Sequence, residues 1–116
     1  MELILISAMS SERVIGSGDG LPWNLPEEYA NFLGKVRGHP IVMGRRSYEI
    51  FGADLVDSPL LVVSRSLREV PAANVQICAS VDEALREAAS LDERVFVGGG
   101  ARVYAETLPR ASLLYS

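Results

Sequence analysis

Short apolar runs recur along the chain and predict strands that are buried on both faces. They are rich in Leu, Ile and Val, as the strands of a parallel sheet are when helices cover both of its sides. The runs occupy residues 3–9, the neighbourhoods of Ile41 and Leu61, and the stretch "RVFVGG" from Arg94.

Segments with the spacing of amphipathic helices lie between these runs. They cover residues 26–36, residues 46–51, the stretch after Ser80, and residue 101 to about residue 108. The sequence "SVDE" from Ser80 offers a capping box for the third of these helices. This alternation predicts an α/β domain with a mostly parallel central β-sheet flanked by helices.

Composition narrows the class of protein. The chain has 116 residues, of which 48% are hydrophobic, so we expect one domain over residues 1–116. Its 11 Lys+Arg against 15 Asp+Glu give a net charge of −4 without a basic run, which argues against a nucleic-acid partner. Cys78 is the only cysteine, which excludes an internal disulfide and favours a reducing compartment. No leader opens the chain and no apolar run approaches the roughly 20 residues that span a bilayer, so we expect a cytoplasmic protein without a membrane partner.

Glycine, serine and arginine follow three of the predicted strands, in residues 44–47, 64–66 and 98–101. In a parallel sheet these strand ends share one edge, where helix N-termini favour anions. Arg45 and Arg46 at a helix start favour an anion such as a ribose phosphate, although two solvated surface charges are the alternative. The glycine run signals either a close ligand or a tight turn, and both readings stay open. Together the three ends predict a nucleotide cradle.

Two carboxylates open the first predicted helix, in "GLPWNLPEEYANF". With a helix start near Pro26, Glu28 shares the apolar face with Tyr29 and Phe32, whereas Glu27 is an ordinary first-turn acid. A buried acid needs a partner, which is either a ligand with N–H donors or another group of the protein. The glycines of residues 16–20 are most simply a flexible loop, and such a loop can act as a lid beside a site.

These residues resemble the dihydrofolate reductase family over the whole chain. The matching motifs keep their order and approximate spacing: "ISAMSSERVIG", "GLPWNLPEEYANF", "HPIVMGRRSYEIFG", "LLVVSRS", "VDEAL", "VFVGGGARVY" and "LPRASLLYS". The resemblance implies hydride transfer from NADPH to dihydrofolate or a related pterin, with Glu28 binding the pterin and promoting its protonation. It leaves open whether the protein is a monomer or a homodimer.

The resemblance also implies roles for individual residues. It makes Trp23 a second catalytic residue beside Glu28. Pterin contacts are implied for Ile6, Ala8, Tyr29, Phe32, Ile50 and Leu55. Cofactor contacts are implied for Ala8, Ile15, Leu21, Gly44, Arg45, Arg46, Ser47, Ser64, Arg65, Gly99, Gly100, Ala101, Arg102, Val103 and Tyr104. No metal site is expected.

Three features depart from the family pattern. Many members carry an arginine before the strand "LLVVS" that grips the glutamate tail of the folate, whereas this chain reads "LVDSPLL", with Ser58 and no cation. Gly98 replaces the usual aliphatic residue before the glycine pair, and the family continues for several strands beyond this chain's last residue. A C-terminal portion outside this sequence or a partner chain would then complete the sheet.

Two other functions compete with folate reduction. A reductase of the same fold could act on a riboflavin-pathway pyrimidinone, which the absent arginine favours and Glu28 opposes. A non-catalytic NADP-binding or interaction protein is the rival from another class. Cofactor binding without turnover of any pterin would favour it.

Overall fold

A six-stranded parallel sheet forms the centre of the molecule. The computed structural model describes residues 2–6, 30, 33–66, 72–110 and 113–115. The strands are β1 (Glu2–Ile6), β2 (Ile41–Gly44), β3 (Leu60–Val63), β4 (Val75–Cys78), β5 (Arg94–Val97) and β6 (Leu113–Tyr115). They lie in the order β4-β3-β2-β5-β1-β6, and every pairing between neighbours is parallel. The predicted parallel α/β class is confirmed, and β4 and β6 add to the four predicted strands.

Three helices follow strands, as the apolar spacing predicted. They are α1 (Arg45–Phe51), α2 (Val81–Leu91) and α3 (Ala101–Thr107), and short 3-10 turns continue α1 over Gly52–Asp54 and α3 over Leu108–Arg110. Residues 30 and 33–36 are helical, and the rest of the predicted first helix lies outside the described residues. None of the described helices is long and apolar enough to cross a membrane.

The predicted capping box at the start of α2 is present with a shift of one residue. Ser80 Oγ accepts a hydrogen bond from the backbone N of Glu83 at 3.1 Å. The Glu83 carboxylate accepts from the backbone N of Ala79 at 2.6 Å, whereas the usual partner is the cap residue itself. The side chains of Ser80 and Glu83 therefore accept hydrogen bonds from backbone N–H groups at the N-terminus of α2.

Side chains on the two faces of the sheet form two apolar layers. Along β2, Ile41 and Met43 enter one layer and Val42 enters the other, and all three are fully buried. The first layer lies under residues 33–36 and α1, and the second under α2 and α3. Burial on both faces explains why the strands are continuous apolar runs without alternation.

The carboxyl ends of β2, β3 and β5 lie at one edge of this sheet. Gly44 is in register with Val63, and the backbone N of Gly98 donates to Val42 O at 2.8 Å. The polar stretches that follow these strands are thereby brought together.

Candidate functional site at the carboxyl edge of the sheet

A cleft of about 490 Å³ opens at the carboxyl edge. It is bounded by the start of α1, the turn after β3, the turn between β4 and α2, and the first two turns of α3. Its lining residues are Gly44, Arg45, Arg46, Val63, Ser64, Arg65, Ser66, Ala79, Ser80, Val81, Gly100, Arg102, Val103 and Glu106. Four of these side chains are arginines and one is an acid, so the cleft is suited to an anionic ligand.

Most of the residues predicted to contact the cofactor are assembled in this cleft. Eight line it: Gly44, Arg45, Arg46, Ser64, Arg65, Gly100, Arg102 and Val103. Ser47 and Gly99 are buried, and Tyr104 is partly buried against the second apolar layer. The backbone of Ala101 begins α3, and its side chain lies outside the described set.

Gly99 and Gly100, which lie between β5 and α3, serve different structural roles. Gly99 has φ of 105°, a conformation that side-chain-bearing residues rarely adopt, and its carbonyl accepts from the backbone N of Gly44 at 2.7 Å. Gly100 lines the cleft, and a Cβ added there would meet no atom within 4 Å. Gly99 therefore makes the turn, whereas Gly100 keeps open space beside the backbone where a ligand can approach.

Two helices that begin at the cleft, α1 and α3, have N-termini without side-chain caps. The cap residues of α1 and α3 are Gly44 and Gly100, neither of which has a side-chain hydrogen bond, and no acid occupies either first turn. Arg45, Arg46 and Arg102 stand in those first turns. Cations beside the positive end of a helix are unfavourable unless an anion joins them. This charge arrangement supports the anion-binding interpretation.

Arg45 is held by two neighbours within the described chain. Its Nε lies 3.3 Å from Glu49 Oε1, and its Nη1 donates to Ser66 Oγ at 2.9 Å. The backbone N of Ser66 donates to Ser64 Oγ at 3.3 Å, so the first residues after β3 are joined by a local hydrogen bond. Arg46, Arg65 and Arg102 form no ion pair with any described acid.

The sequence assigned no individual ligand contact to several of the lining residues. Ser66 belongs to the predicted strand-end stretch, but its contact with Arg45 has no signal in the sequence. Ala79, Ser80 and Val81 reach the cleft because β4 lies next to β3. Glu106 follows Arg102 by one helical turn, a spacing that could have indicated that both face the same side.

The residues predicted to contact the pterin are described only in part. Leu55 is 3% exposed and belongs to the first apolar layer, and the partly buried Ile50 packs against that layer. The backbone of Ile6 ends β1, but its side chain lies outside the described residues. The other predicted pterin contacts, Ala8, Tyr29 and Phe32, also lie outside them. So do the catalytic candidates Glu28 and Trp23, the predicted cofactor contacts Ile15 and Leu21, and the loop of residues 16–20.

Ser58 stands where the family resemblance would place a tail-binding arginine, and it is buried and hydrogen-bonded within the protein. Its side chain is 2% exposed, and its Oγ donates to Val36 O at 3.0 Å. Asn74 Nδ2 donates to Ser58 O at 2.9 Å and to Leu55 O at 3.1 Å. The nearby cation Arg37 forms an exposed ion pair with Asp57, Nε to Oδ2 3.2 Å.

Burial raises the pKa of two described side chains beside the second apolar layer, Cys78 and Tyr104. Burial, with the nearby Glu83 and Glu87 carboxylates, raises the pKa of Cys78 to about 11. Burial also raises the pKa of Tyr104. Among the described residues no group of His, Cys, Asp and Glu side chains could hold a metal ion.

A parallel α/β sheet with a basic, glycine-lined cleft at its carboxyl edge is typical of nucleotide-binding α/β proteins. The family model described as dihydrofolate reductase matches residues 2–116. Dihydrofolate reductase type 3 of Salmonella typhimurium is 38% identical over 115 residues, which are 99% of this chain and 70% of that protein. Dihydrofolate reductase type 5 of Escherichia coli is 35% identical, over 99% of this chain and 73% of that protein.

A solved structure agrees with the sequence relatives. Dihydrofolate reductase from Enterococcus faecalis, complexed with NADP(H) and RAB-propyl, superposes with a TM-score of 0.77 at 31% identity. The match covers 97% of this chain and 67% of that one. The chain belongs to the dihydrofolate reductase family, as its motifs predicted.

Proposed function

We propose that this chain reduces dihydrofolate to tetrahydrofolate, with NADPH as the hydride donor. It is an oxidoreductase by family, and its relatives are dihydrofolate reductases over nearly its whole length. The observation that carries the proposal is the basic cleft, since it joins arginines and a glycine-lined turn from separate parts of the chain. The lone, buried Cys78 fits a reaction in the reducing cytoplasm.

The residues of the cleft fit the phosphates of NADPH. Arg45 and Arg65 would hold the phosphate at the adenosine end, with Ser64 as a hydroxyl donor. Gly100 leaves space for the pyrophosphate beside the backbone, and Arg102 adds a positive charge there. NADPH, when bound, supplies the hydride that the protein lacks.

The acid Glu28 completes the proposed chemistry. Its carboxylate would accept hydrogen bonds from two pterin N–H groups and stabilise the positive charge that develops as the ring takes a proton. Trp23 would assist at the same site. Ile50 and Leu55 would form the apolar wall of the pterin pocket, together with Ile6, Ala8, Tyr29 and Phe32.

One observation favours a heterocycle other than folate as a second candidate. Residues 55–59, before β3, contain no cation for a glutamate tail, and Ser58 among them is buried with its hydroxyl bonded to Val36 O. A same-fold reductase acting on a riboflavin-pathway pyrimidinone would need no such cation. Turnover of that pyrimidinone but not of dihydrofolate would select this candidate.

The test is NADPH oxidation by the purified chain with dihydrofolate, measured for the unaltered chain, Glu28→Gln and Glu27→Gln. We expect turnover in the unaltered chain, a loss of about 100-fold or more in Glu28→Gln, and little change in Glu27→Gln. NADPH binding should be nearly equal in all three, because the resemblance assigns no cofactor contact to either acid. Equal activity of Glu28→Gln would remove Glu28 from the mechanism, and NADPH binding without turnover of either heterocycle would favour a non-catalytic NADP-binding protein.

A further inference from the structure

We infer that Ser66 is a positioning residue, which holds the Arg45 guanidinium ready for the 2′-phosphate that distinguishes NADPH from NADH. The inference rests on the proposed function and deepens it. It assigns cofactor specificity to a residue that acts through Arg45 and does not touch the phosphate itself.

The geometry shows a guanidinium fixed from two sides. Glu49 Oε1 lies 3.3 Å from Nε, and Ser66 Oγ accepts from Nη1 at 2.9 Å. The two contacts come from different elements, since Glu49 lies one turn further along α1 and Ser66 lies in the turn after β3. No described residue bonds to Nη2, which stays available for a phosphate oxygen together with the remaining N–H of Nη1.

Fixing this side chain matters because it is half exposed. The Arg45 side chain is 49% exposed, and a guanidinium on such a side chain loses rotamer freedom when it clamps an anion. Part of that loss has already occurred in the folded chain if Ser66 holds the group in place, so binding is stronger. The benefit applies to a ligand with a phosphate at this point and is absent for one with a hydroxyl.

Ser66 itself is held for this role. Its backbone N donates to Ser64 Oγ at 3.3 Å, and the two hydroxyl oxygens lie 3.4 Å apart. The Ser66 hydroxyl therefore already contacts Arg45 and Ser64, both of which line the same cleft. Its position, three residues after the end of the buried strand β3, fixes where the guanidinium of Arg45 can lie.

The first experiment measures binding by calorimetry with two fragments of the cofactor, adenosine 2′,5′-bisphosphate and adenosine 5′-monophosphate. We expect Ser66→Ala to weaken the bisphosphate by about three- to tenfold and to leave the monophosphate unchanged. Ser66→Thr, which keeps the hydroxyl, should restore most of the lost affinity. Ser90→Ala is the matched control, because Ser90 Oγ is exposed and donates to Glu87 O on α2, away from the cleft lining.

A double-mutant cycle separates positioning from direct contact. If Ser66 acts through Arg45, Ser66→Ala should have no further effect on the bisphosphate in the Arg45→Ala background. An undiminished effect there would place the hydroxyl on the phosphate and overturn the inference. Equal weakening of both fragments would also overturn it, since it would mean a general disturbance of the cleft.

The outcome also separates this inference from the function on which it rests. Normal binding of NADPH with no effect of Ser66→Ala overturns the inference and leaves the proposed function standing. Failure of the unaltered chain to bind NADPH overturns both.

Discussion

Replacing Ser58 by alanine should lower stability without changing recognition of the substrate. The Ser58 side chain is 2% exposed, and its hydroxyl donates to Val36 O at 3.0 Å. This bond links the segment before β3 to the helical residues 33–36, so it supports the first apolar layer. Alanine removes the donor and adds no bulk.

The size of the effect follows from what happens to the carbonyl. A hydrogen bond of this kind contributes about 0.5–1.5 kcal/mol net, and an orphaned buried group costs about 1–3 kcal/mol. Val36 O keeps a second partner, because the backbone N of His39 donates to it at 2.9 Å. The lower range therefore applies, and we expect a loss of about 1 kcal/mol, or roughly 3–5 °C in the melting temperature.

Urea unfolding and substrate kinetics measure the two sides of this prediction. Ser58→Ala should shift the unfolding midpoint at constant slope, and the KM for dihydrofolate should not move, because the hydroxyl is buried. Ser90→Ala, at an exposed serine with a similar bond to a carbonyl, should change stability by less than about 0.5 kcal/mol. An unchanged unfolding midpoint would refute the reasoning. A raised KM at unchanged stability would also refute it and would indicate that the Ser58 hydroxyl contacts the substrate.

Three further predictions concern the cofactor site, alkaline stability and the backbone. Arg45→Ala should weaken the affinity for NADPH by about 10- to 100-fold and the affinity for NADH much less, because a charge-assisted phosphate contact is lost. Arg37→Ala, which breaks an exposed ion pair with Asp57, is the control. Equal losses of affinity for both cofactors would contradict phosphate recognition by Arg45. Stability should fall as the pH rises from 9.0 towards about 11, since the unfolded state releases the Cys78 proton first and the folded state keeps it. Urea unfolding of Cys78→Ala should show a smaller fall, and the remainder belongs to groups such as Tyr104, whose pKa burial also raises. An unchanged slope in Cys78→Ala would contradict the assignment to Cys78. Gly34→Ala should stabilise the fold by about 0.5–1 kcal/mol, because Gly34 is helical and an added Cβ meets no atom within 4 Å. Gly38→Ala should destabilise the fold by about 1 kcal/mol, because residues with a side chain rarely adopt its φ of 81°. Thermal melts that show the reverse order of stability would contradict this prediction.

Local patterns were sufficient where burial imposes them. The apolar run at β2 is continuous because Ile41, Val42 and Met43 are buried alternately on both faces of the sheet, so the parallel α/β class was predictable. The start of α2 was predictable from the residue types of its capping box, with Ser80 as the cap. The short strand β6 was not predicted, because three residues carry too little periodicity.

The candidate site shows a similar division. The strand-end stretches with Gly44, Arg45 and Ser64 were identified from the chain alone, because parallel strands place their carboxyl ends at one edge. The contact of Ser66 with Arg45 was not, since these residues are 21 positions apart in the chain and their side chains have no periodic signal. The different structural roles of Gly99 and Gly100 could also be recognised only from the backbone angles and from the space around each residue.

The sequence by itself determined the fold class, the family and the kinds of residue at the carboxyl edge, because these follow from local burial patterns and from motifs in a fixed order. Only the tertiary structure decided which of these residues share the cleft. It also showed that the Ser58 hydroxyl is hydrogen-bonded to Val36 O. Ala79 and Ser80 line the cleft because β4 pairs with β3. The physical reason is that strand order and side-chain contacts depend on how separate segments pack together, a property of the whole chain that no single segment encodes.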